Sequence, residues 1–258
     1  MKITFLGTGT SMGVPLINCS CPVCTSTDPK DKRMRSSVKI ETGGKILLID
    51  ASSDFRQQAL RFGIPTIDGI LLTHPHADHI IGLDDTRIYS LREKKAIRIF
   101  GSAFTLKNIR HIFSYAFEGV RDERLIKPLF QLNELKQKQK LFGLPVSTLR
   151  MNHGGMPVTG YRIGNFAYLT DFAEIEESEL NLLKGVTHLV VGALRYTPSI
   201  SHLTVDQAIQ LIEKIKPETA WLTHMSHEIS HKKLENELPE HIHAAYDGLS
   251  FRCPAAKP

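Results

Sequence analysis

Short apolar runs, each ended by a glycine or a polar step, alternate along this chain with stretches in which apolar residues recur at helical spacing. The runs predict strands over residues 2–6, 37–41, 45–50, 70–72 and 97–100, with Thr42-Gly43-Gly44 as a hairpin turn between the second and third. Between them, Ser52 or Ser53 can cap a helix that carries Phe55, Leu60 and Phe62 and stops at Gly63. Residues 80–90 are helical in pattern, and Leu106, Ile109, Ile112, Phe113 and Ala116 mark a helix over 103–117. From Leu144 the alternation resumes, with strands over 146–151, 161–163, 166–169, 188–191 and 219–222 and helices over 176–183, 204–215 and about 232–238. The stretch 119–140 shows no clear period.

Two pairs of runs echo each other. Ile46-Leu47-Leu48-Ile49-Asp50 is similar to Phe166-Ala167-Tyr168-Leu169-Thr170-Asp171, and Ile70-Leu71-Leu72-Thr73-His74 to Thr219-Ala220-Trp221-Leu222-Thr223-His224. Such pairs fit an α/β domain whose two sheets, of similar build, meet face to face and feed polar residues to one edge. A single domain over 1–258 is expected, in two pseudo-repeated halves of about 1–140 and 141–258.

Chemistry concentrates where apolar runs end. Ile70-Leu71-Leu72 leads into Thr73-His74-Pro75-His76-Ala77-Asp78-His79, a set of imidazoles and a carboxylate that suits zinc-, iron- or manganese-type ions. His76, Asp78 and His79 lie too close together for all of them to converge on one ion, so two adjacent cations are expected. His153, Asp171 and His224 each put a further donor after a predicted strand. Cys19-Ser20-Cys21-Pro22-Val23-Cys24 lets its thiols face one ion across a tight turn, the sulfur-rich shell of a structural zinc, with Cys253 or His227 as the fourth ligand. The glycine-rich stretch Gly7-Thr8-Gly9-Thr10-Ser11-Met12-Gly13 lacks the Lys-Ser/Thr ending of a phosphate-cradling loop and is expected to be a turn.

The His-x-His-x-Asp-His pattern resembles the signature of the metallo-β-lactamase superfamily. Together with Leu6-Gly7-Thr8-Gly9, the cysteine loop, Asn152-His153, Thr170-Asp171 and Leu222-Thr223-His224-Met225-Ser226-His227, it looks most like the PhnP group of cyclic phosphodiesterases. That resemblance implies a four-layer αββα sandwich. It implies one ion on His74, His76 and His153 and a second on Asp78, His79 and His224, with Asp171 bridging them; manganese and zinc both fit. It further implies a phosphodiesterase in which a hydroxide between the metals attacks, with Asp78 as a catalytic carboxylate. His202, ahead of Thr204-Val205-Asp206, would stabilise the transition state or protonate the leaving oxygen. His227 would complete the zinc shell of Cys19, Cys21 and Cys24. Two other groups share parts of the pattern: a tRNA 3′-end endonuclease, whose basic glycine-rich arm is not evident here, and a non-hydrolytic carrier of the pyrroloquinoline-quinone B kind, whose site motif is degraded whereas this one is intact.

Composition adjusts this picture modestly. With 258 residues and 41% hydrophobic content the chain can bury a sizeable core. A net charge of +5 favours an anionic substrate such as a phosphate ester without requiring nucleic acid. The basic residues Arg121, Arg124, Lys127, Lys136, Lys138 and Lys140 are diluted by Asp122, Glu123 and Glu134 and read as a solvated surface. The N-terminus lacks the pattern of a signal peptide, and no apolar run approaches the ~20 residues that span a bilayer. A cytoplasmic location follows, in which cysteines serve more readily as ligands than as disulfides. The expected partner is a small phosphorylated substrate, with Arg195 and Tyr196 as candidate phosphate contacts; nucleic acid and membrane are not expected, and a homodimer is left open.

Overall fold

Ile3, Phe5 and Leu6 are all fully buried although neighbours on a strand point to opposite faces, and the same holds for Leu47, Leu48 and Ile49. Strands buried on both faces need a layer on each side. The computed structural model, which describes residues 1–117 and 126–254, supplies those layers. Its strands are β1 (Lys2–Gly7), β2 (Ser37–Thr42), β3 (Lys45–Ile49), β4 (Gly69–Leu71), β5 (Ile97–Gly101), β6 (Phe130–Glu134), β7 (Lys138–Leu141), β8 (Leu144–His153), β9 (Met156–Ile163), β10 (Phe166–Leu169), β11 (Glu174–Ile175), β12 (His188–Gly192), β13 (Thr219–Thr223), β14 (Ile242–Ala244) and β15 (Ser250–Arg252). Its α-helices are α1 (Phe55–Phe62), α2 (Ala77–Ile80), α3 (Arg87–Glu93), α4 (Ala103–Ile112), α5 (Ser114–Phe117), α6 (Glu177–Leu180), α7 (Val205–Ile215) and α8 (His231–Glu237).

One sheet runs β15-β1-β2-β3-β4-β5-β6, and the other β11-β8-β9-β10-β12-β13-β14 with β7 also paired to β8. Phe5, Leu47, Tyr161, Tyr168 and Val190 pack between the sheets. Leu48, Phe55, Ile70 and Leu106 fill the space under the helices of the first sheet, and Leu189, Ala208, Ile212 and Leu222 that under the helices of the second. Three apolar interfaces therefore separate four layers, the expected αββα sandwich. Helix α7 is typical of its outer layer: Val205, Ala208 and Ile212 face inward, and Thr204 and Gln207 form a reciprocal capping box at its start.

The structure departs from the sequence pattern in places. Residues 80–90 are not one helix but α2, a 3-10 segment (Ile81–Thr86) and α3. A Cβ on Gly82 would lie 2.1 Å from the Ser52 carbonyl, so this segment presses backbone to backbone against the turn after β3. The helix over 103–117 breaks at Phe113 into α4 and α5. Strands β6 and β7 arise from the stretch without a clear period, and β15 returns from the C-terminal half to pair with β1. Lys138 and Lys140 are exposed on the edge strand β7, where charge discourages pairing with another chain; Arg121, Asp122, Glu123 and Arg124 lie outside the described residues. The glycine-rich stretch packs as a turn: a Cβ on Gly7 would lie 2.1 Å from the Arg35 carbonyl, and Gly9 bridges both Arg35 and Met225. Among the described residues no helix is long and apolar enough to cross a membrane.

A buried carboxylate ties this turn to the segment that leads into β2. Asp247 accepts from Thr8 Oγ1 at 2.8 Å and from Met34 N at 2.7 Å, yet burial pushes its carboxyl up to about 6. A raised acid contributes no penalty below the unfolded value of about 3.9, a growing one as pH climbs from there to the folded value, and about 3 kcal/mol above it. Asp247→Asn keeps an acceptor for Met34 N and can donate its amide to the Thr8 hydroxyl. Thermal melts should show the variant several degrees more stable than wild type above about pH 7 and equal to it near pH 4; a variant less stable at both would overturn this reading.

Candidate metal centre

β3, β4 and β5 are parallel, as are β10, β12 and β13, so their C-terminal ends share one edge of the sandwich. In open α/β sheets that edge is where ligands bind. Asp50 follows β3, Thr73 to His79 follow β4, His153 ends β8, and Asp171 and His224 follow β10 and β13. The two sheets are tied together there, since Thr159 N donates to the Thr73 carbonyl at 2.9 Å and Tyr161 Oη to that of Leu72 at 2.5 Å. Asp50, Asp171 and His224 each take a left-handed backbone, with φ of 62°, 55° and 58°. Such a conformation costs an L-residue on the order of 1–2 kcal/mol, and it turns each side chain off the end of its strand toward the common edge.

The structure brings together every predicted active-edge ligand. Donor atoms of His74, His76 and His153 lie within 4.8 Å of one another, as do those of Asp78, His79 and His224, and those of His74, His79 and Asp171. Asp171 stands between the groups: one oxygen is 2.9 Å from His224 Nε2 and the other 3.4 Å from His79 Nε2. His79 Nε2 is also 3.2 Å from Asp78. His202 joins the same edge, its ring stacked 5.0 Å from that of His224 and edge-on at 4.6 Å to that of His153.

Hydrogen bonds behind the imidazoles fix which nitrogen faces the edge. His153 Nδ1 donates to the Ser201 carbonyl at 2.7 Å, His79 Nδ1 to Asp50 at 2.7 Å, and Thr73 Oγ1 lies 2.9 Å from His74 Nδ1. Asp50 also accepts from the amide and hydroxyl of Thr73, both at 2.8 Å. His74 Nε2 and His224 Nδ1 are buried without a hydrogen-bond partner, and His79 Nε2 and His224 Nε2 face only the carboxylates of Asp78 and Asp171. Buried polar atoms left unpaired are costly, so a cluster of them aimed at carboxylates fits divalent cations.

The charge states agree. Burial and the charge on His79 hold His74 well below the ordinary imidazole value; burial and His153 lower His76, and burial and His224 bring His202 down to about 3. Burial works to raise Asp171, but His224 and His79 outweigh it and hold the carboxyl well below the usual range; His79 does the same for Asp78. His79 is held well above its ordinary value by Asp171 and Asp50 in spite of burial. A proton there does for the surrounding carboxylates what a cation would do, and metal loading must displace it.

On a neighbouring part of the edge, ligand atoms of Cys19, Cys21, Cys24 and His227 lie within 4.8 Å of one another, with His227 Nδ1 3.5 Å from Cys19 Sγ and 3.3 Å from Cys21 Sγ. The amides of Leu16 and Cys24 point at sulfur, and the bond from Cys24 N, with His227, brings the Cys21 thiol down to about 6. This is a closed donor set of the structural-zinc kind. Cys253 is buried at the other end of β1, exchanging backbone hydrogen bonds with Met1, and takes no part.

Arg195 folds back on its own loop, donating to the carbonyls of Thr197 and Pro198, and so helps hold the loop before His202 in shape. Tyr196 is exposed, with Glu237 and Lys233 as neighbours. Asp50, Thr73 and Ser201 were not among the residues expected at the site. The echo between 46–50 and 166–171 carried the signal for Asp50, because it sets Asp50 in the place that Asp171 occupies in the second sheet.

Residues 45–225 match the family model for the β-lactamase superfamily domain. A crystal structure of a diphosphatase from the PhnP family superposes with a TM-score of 0.90 at 39% identity, over 97% of this chain and 96% of that one. Zinc-bound PqqB from Methylobacterium extorquens superposes with a TM-score of 0.78 at 20% identity, over 98% of this chain and all of that one, a likeness of fold. An octanoyltransferase of Porphyromonas gingivalis is 42% identical over 257 residues, 96% of this chain and 51% of that protein. The chain thus spans about half the length of the curated relatives it matches.

If the Asp50 contact orients His79, Asp50→Asn should weaken binding of one cation about 10- to 100-fold. Titration calorimetry with zinc or manganese would measure it, and an unchanged affinity would show that His79 needs no orienting carboxylate.

Proposed function

The chain belongs to the metallo-β-lactamase superfamily, in which it is PhnP-like, and on that premise we propose that it hydrolyses a small phosphodiester, with cyclic ribose phosphates or nucleotides as the favoured class. The observation that carries this reading is the convergence of two imidazole-rich donor groups on the shared carboxylate of Asp171. His74, His76 and His153 would hold one divalent cation and Asp78, His79 and His224 a second. A pair so held would lower the pKa of a water to roughly 7 and draw charge from the phosphoryl oxygens.

The chain's own residues then supply position and hydrogen bonding. His202 is partly exposed, as a group that meets substrate must be, while burial and its neighbour His224 keep it uncharged at neutral pH. It serves as a neutral N–H donor to an oxygen of the phosphoryl centre or leaving group; any cations added beside it would disfavour the imidazolium further. Asp50 and Thr73 orient His79 and His74, and the Ser201 carbonyl fixes the tautomer of His153.

Octanoyl transfer is said of a polypeptide about twice this length, and the edge described here favours hydrolysis over acyl transfer. Three of the four thiols converge with His227, and Cys253 is buried at the far end of β1, so none is placed to accept an acyl group at the active edge.

Metal-loaded protein should release phosphomonoester from bis(p-nitrophenyl) phosphate and from cyclic phosphates. His76→Ala should abolish turnover, and His202→Ala should lower kcat by ~10² to 10⁴ with metal content unchanged. Turnover by His76→Ala equal to wild type would remove the donor cluster from the reaction, whereas preferred cleavage of precursor tRNA with steep salt dependence would favour the endonuclease reading.

A further inference from the structure

The segment from His224 to His231 carries one ligand of each donor set, His224 for the active edge and His227 for the thiolates, and it has no regular structure until α8. Its first residues are tied down by backbone: Met225 N donates to the Thr8 carbonyl, its own carbonyl accepts from Thr10 N, and Ser226 N donates to the Leu194 carbonyl. Its last residues are held by a buried ion pair. Arg33 Nη1 donates to the Ile229 carbonyl at 2.9 Å, and Asp31 accepts from His231 N at 2.8 Å. The two charges lie 3.6 Å apart, with side chains 0% and 5% exposed. The Arg33 backbone pairs in both directions with that of Val14, at the root of the cysteine loop.

This pair is poorly built for stability. Arg33 Nε and Nη2 are buried without hydrogen-bond partners, and apolar residues of similar volume commonly replace buried ion pairs without loss of stability. Its specific contacts go to the backbone of Ile229 and His231, which fixes the path of the segment beyond His227 independently of the thiolates.

We propose that Arg33 and Asp31 are positioning residues that set the 227–231 end of this segment, and thereby the His227 imidazole, for the ion of the thiolate set. The inference rests on the metal-centre reading above but not on the phosphodiester, because its test uses no substrate. Metal-loaded full-length protein is dialysed against graded chelator, and the metals retained per chain are counted by mass spectrometry, with folding followed by circular dichroism.

Arg33→Met keeps bulk and removes the charge. It should melt within a few degrees of wild type, retain the active-edge ions, and release the thiolate-bound ion at about 10- to 100-fold lower chelator concentration. Arg33→Lys, which can restore a single donor to Ile229, should lie between the two. Asp31→Asn keeps an acceptor for His231 N but breaks the pair; it should shift release in the same direction, and it decides the matter if Arg33→Met does not fold. A folded Arg33→Met, or failing that Asp31→Asn, whose release curve superimposes on wild type would overturn the proposal, as would loss of all ions together with the fold in both variants.

Discussion

Imidazole nitrogens taken out of water and crowded against carboxylates are the constraint around which this molecule is built. His74 and His224 each bury a ring nitrogen that finds no hydrogen-bond partner, and His79 is packed among carboxylates held below their ordinary pKa. In a sandwich core such atoms would be replaced by apolar ones. They are tolerable only where positive charge is shared among them, by the proton on His79 or by divalent cations in its stead. The hydrogen bonds from His79 to Asp50 and from His153 to the Ser201 carbonyl follow from the same constraint, because each spends one ring nitrogen so that the other must face the edge.

The backbone shows how such a cluster is assembled from two sheets. Parallel strands bring their C-terminal ends level, but a strand that simply ran on would carry its last side chain past the edge. A left-handed residue at the end of β3, β10 and β13 turns Asp50, Asp171 and His224 across it. Glycine would adopt that backbone more easily, and in each case it would supply no donor. The fold thus accepts local strain where the chemistry needs a side chain, and the apolar strands behind, almost wholly buried, hold the strained residues in place.

The sequence revealed the parts of this plan that depend on short apolar runs with a polar residue at the end. The strands leading to His74, Asp171 and His224 are such runs, and their repetition in the two halves signalled two sheets of like build. What stayed illegible depends on partners far along the chain. β6 and β7 have half-exposed, mixed-polarity sequences and become strands through the neighbours they pair with. β15 closes the first sheet from the opposite terminus, a pairing with no local signature. Asp50 could have been found from the echo, yet its role as the partner of His79 appears only when β3 and β4 lie side by side. Ser201 acts through a backbone carbonyl, which any residue type would supply, so its side chain carried no clue.

His202 shows how the hydrogen bonds behind the donor set also place a neighbouring imidazole. It lies on a loop, where an imidazole would ordinarily be free to wander. Both of its neighbours are tethered: the Ser201 carbonyl accepts the proton of His153 Nδ1, and Leu203 N donates to the carbonyl of Phe172, the residue after Asp171. Arg195 closes the base of the same loop on the Thr197 and Pro198 carbonyls. The imidazole is therefore registered against a ligand of the first donor group on one side and against the shared carboxylate on the other. A shift of His153 or Asp171 would carry His202 with it, and a change in the tautomer of His153 would release the loop at Ser201. The position of His202 thus needs no further device: it comes from the hydrogen bonds that aim the donor set.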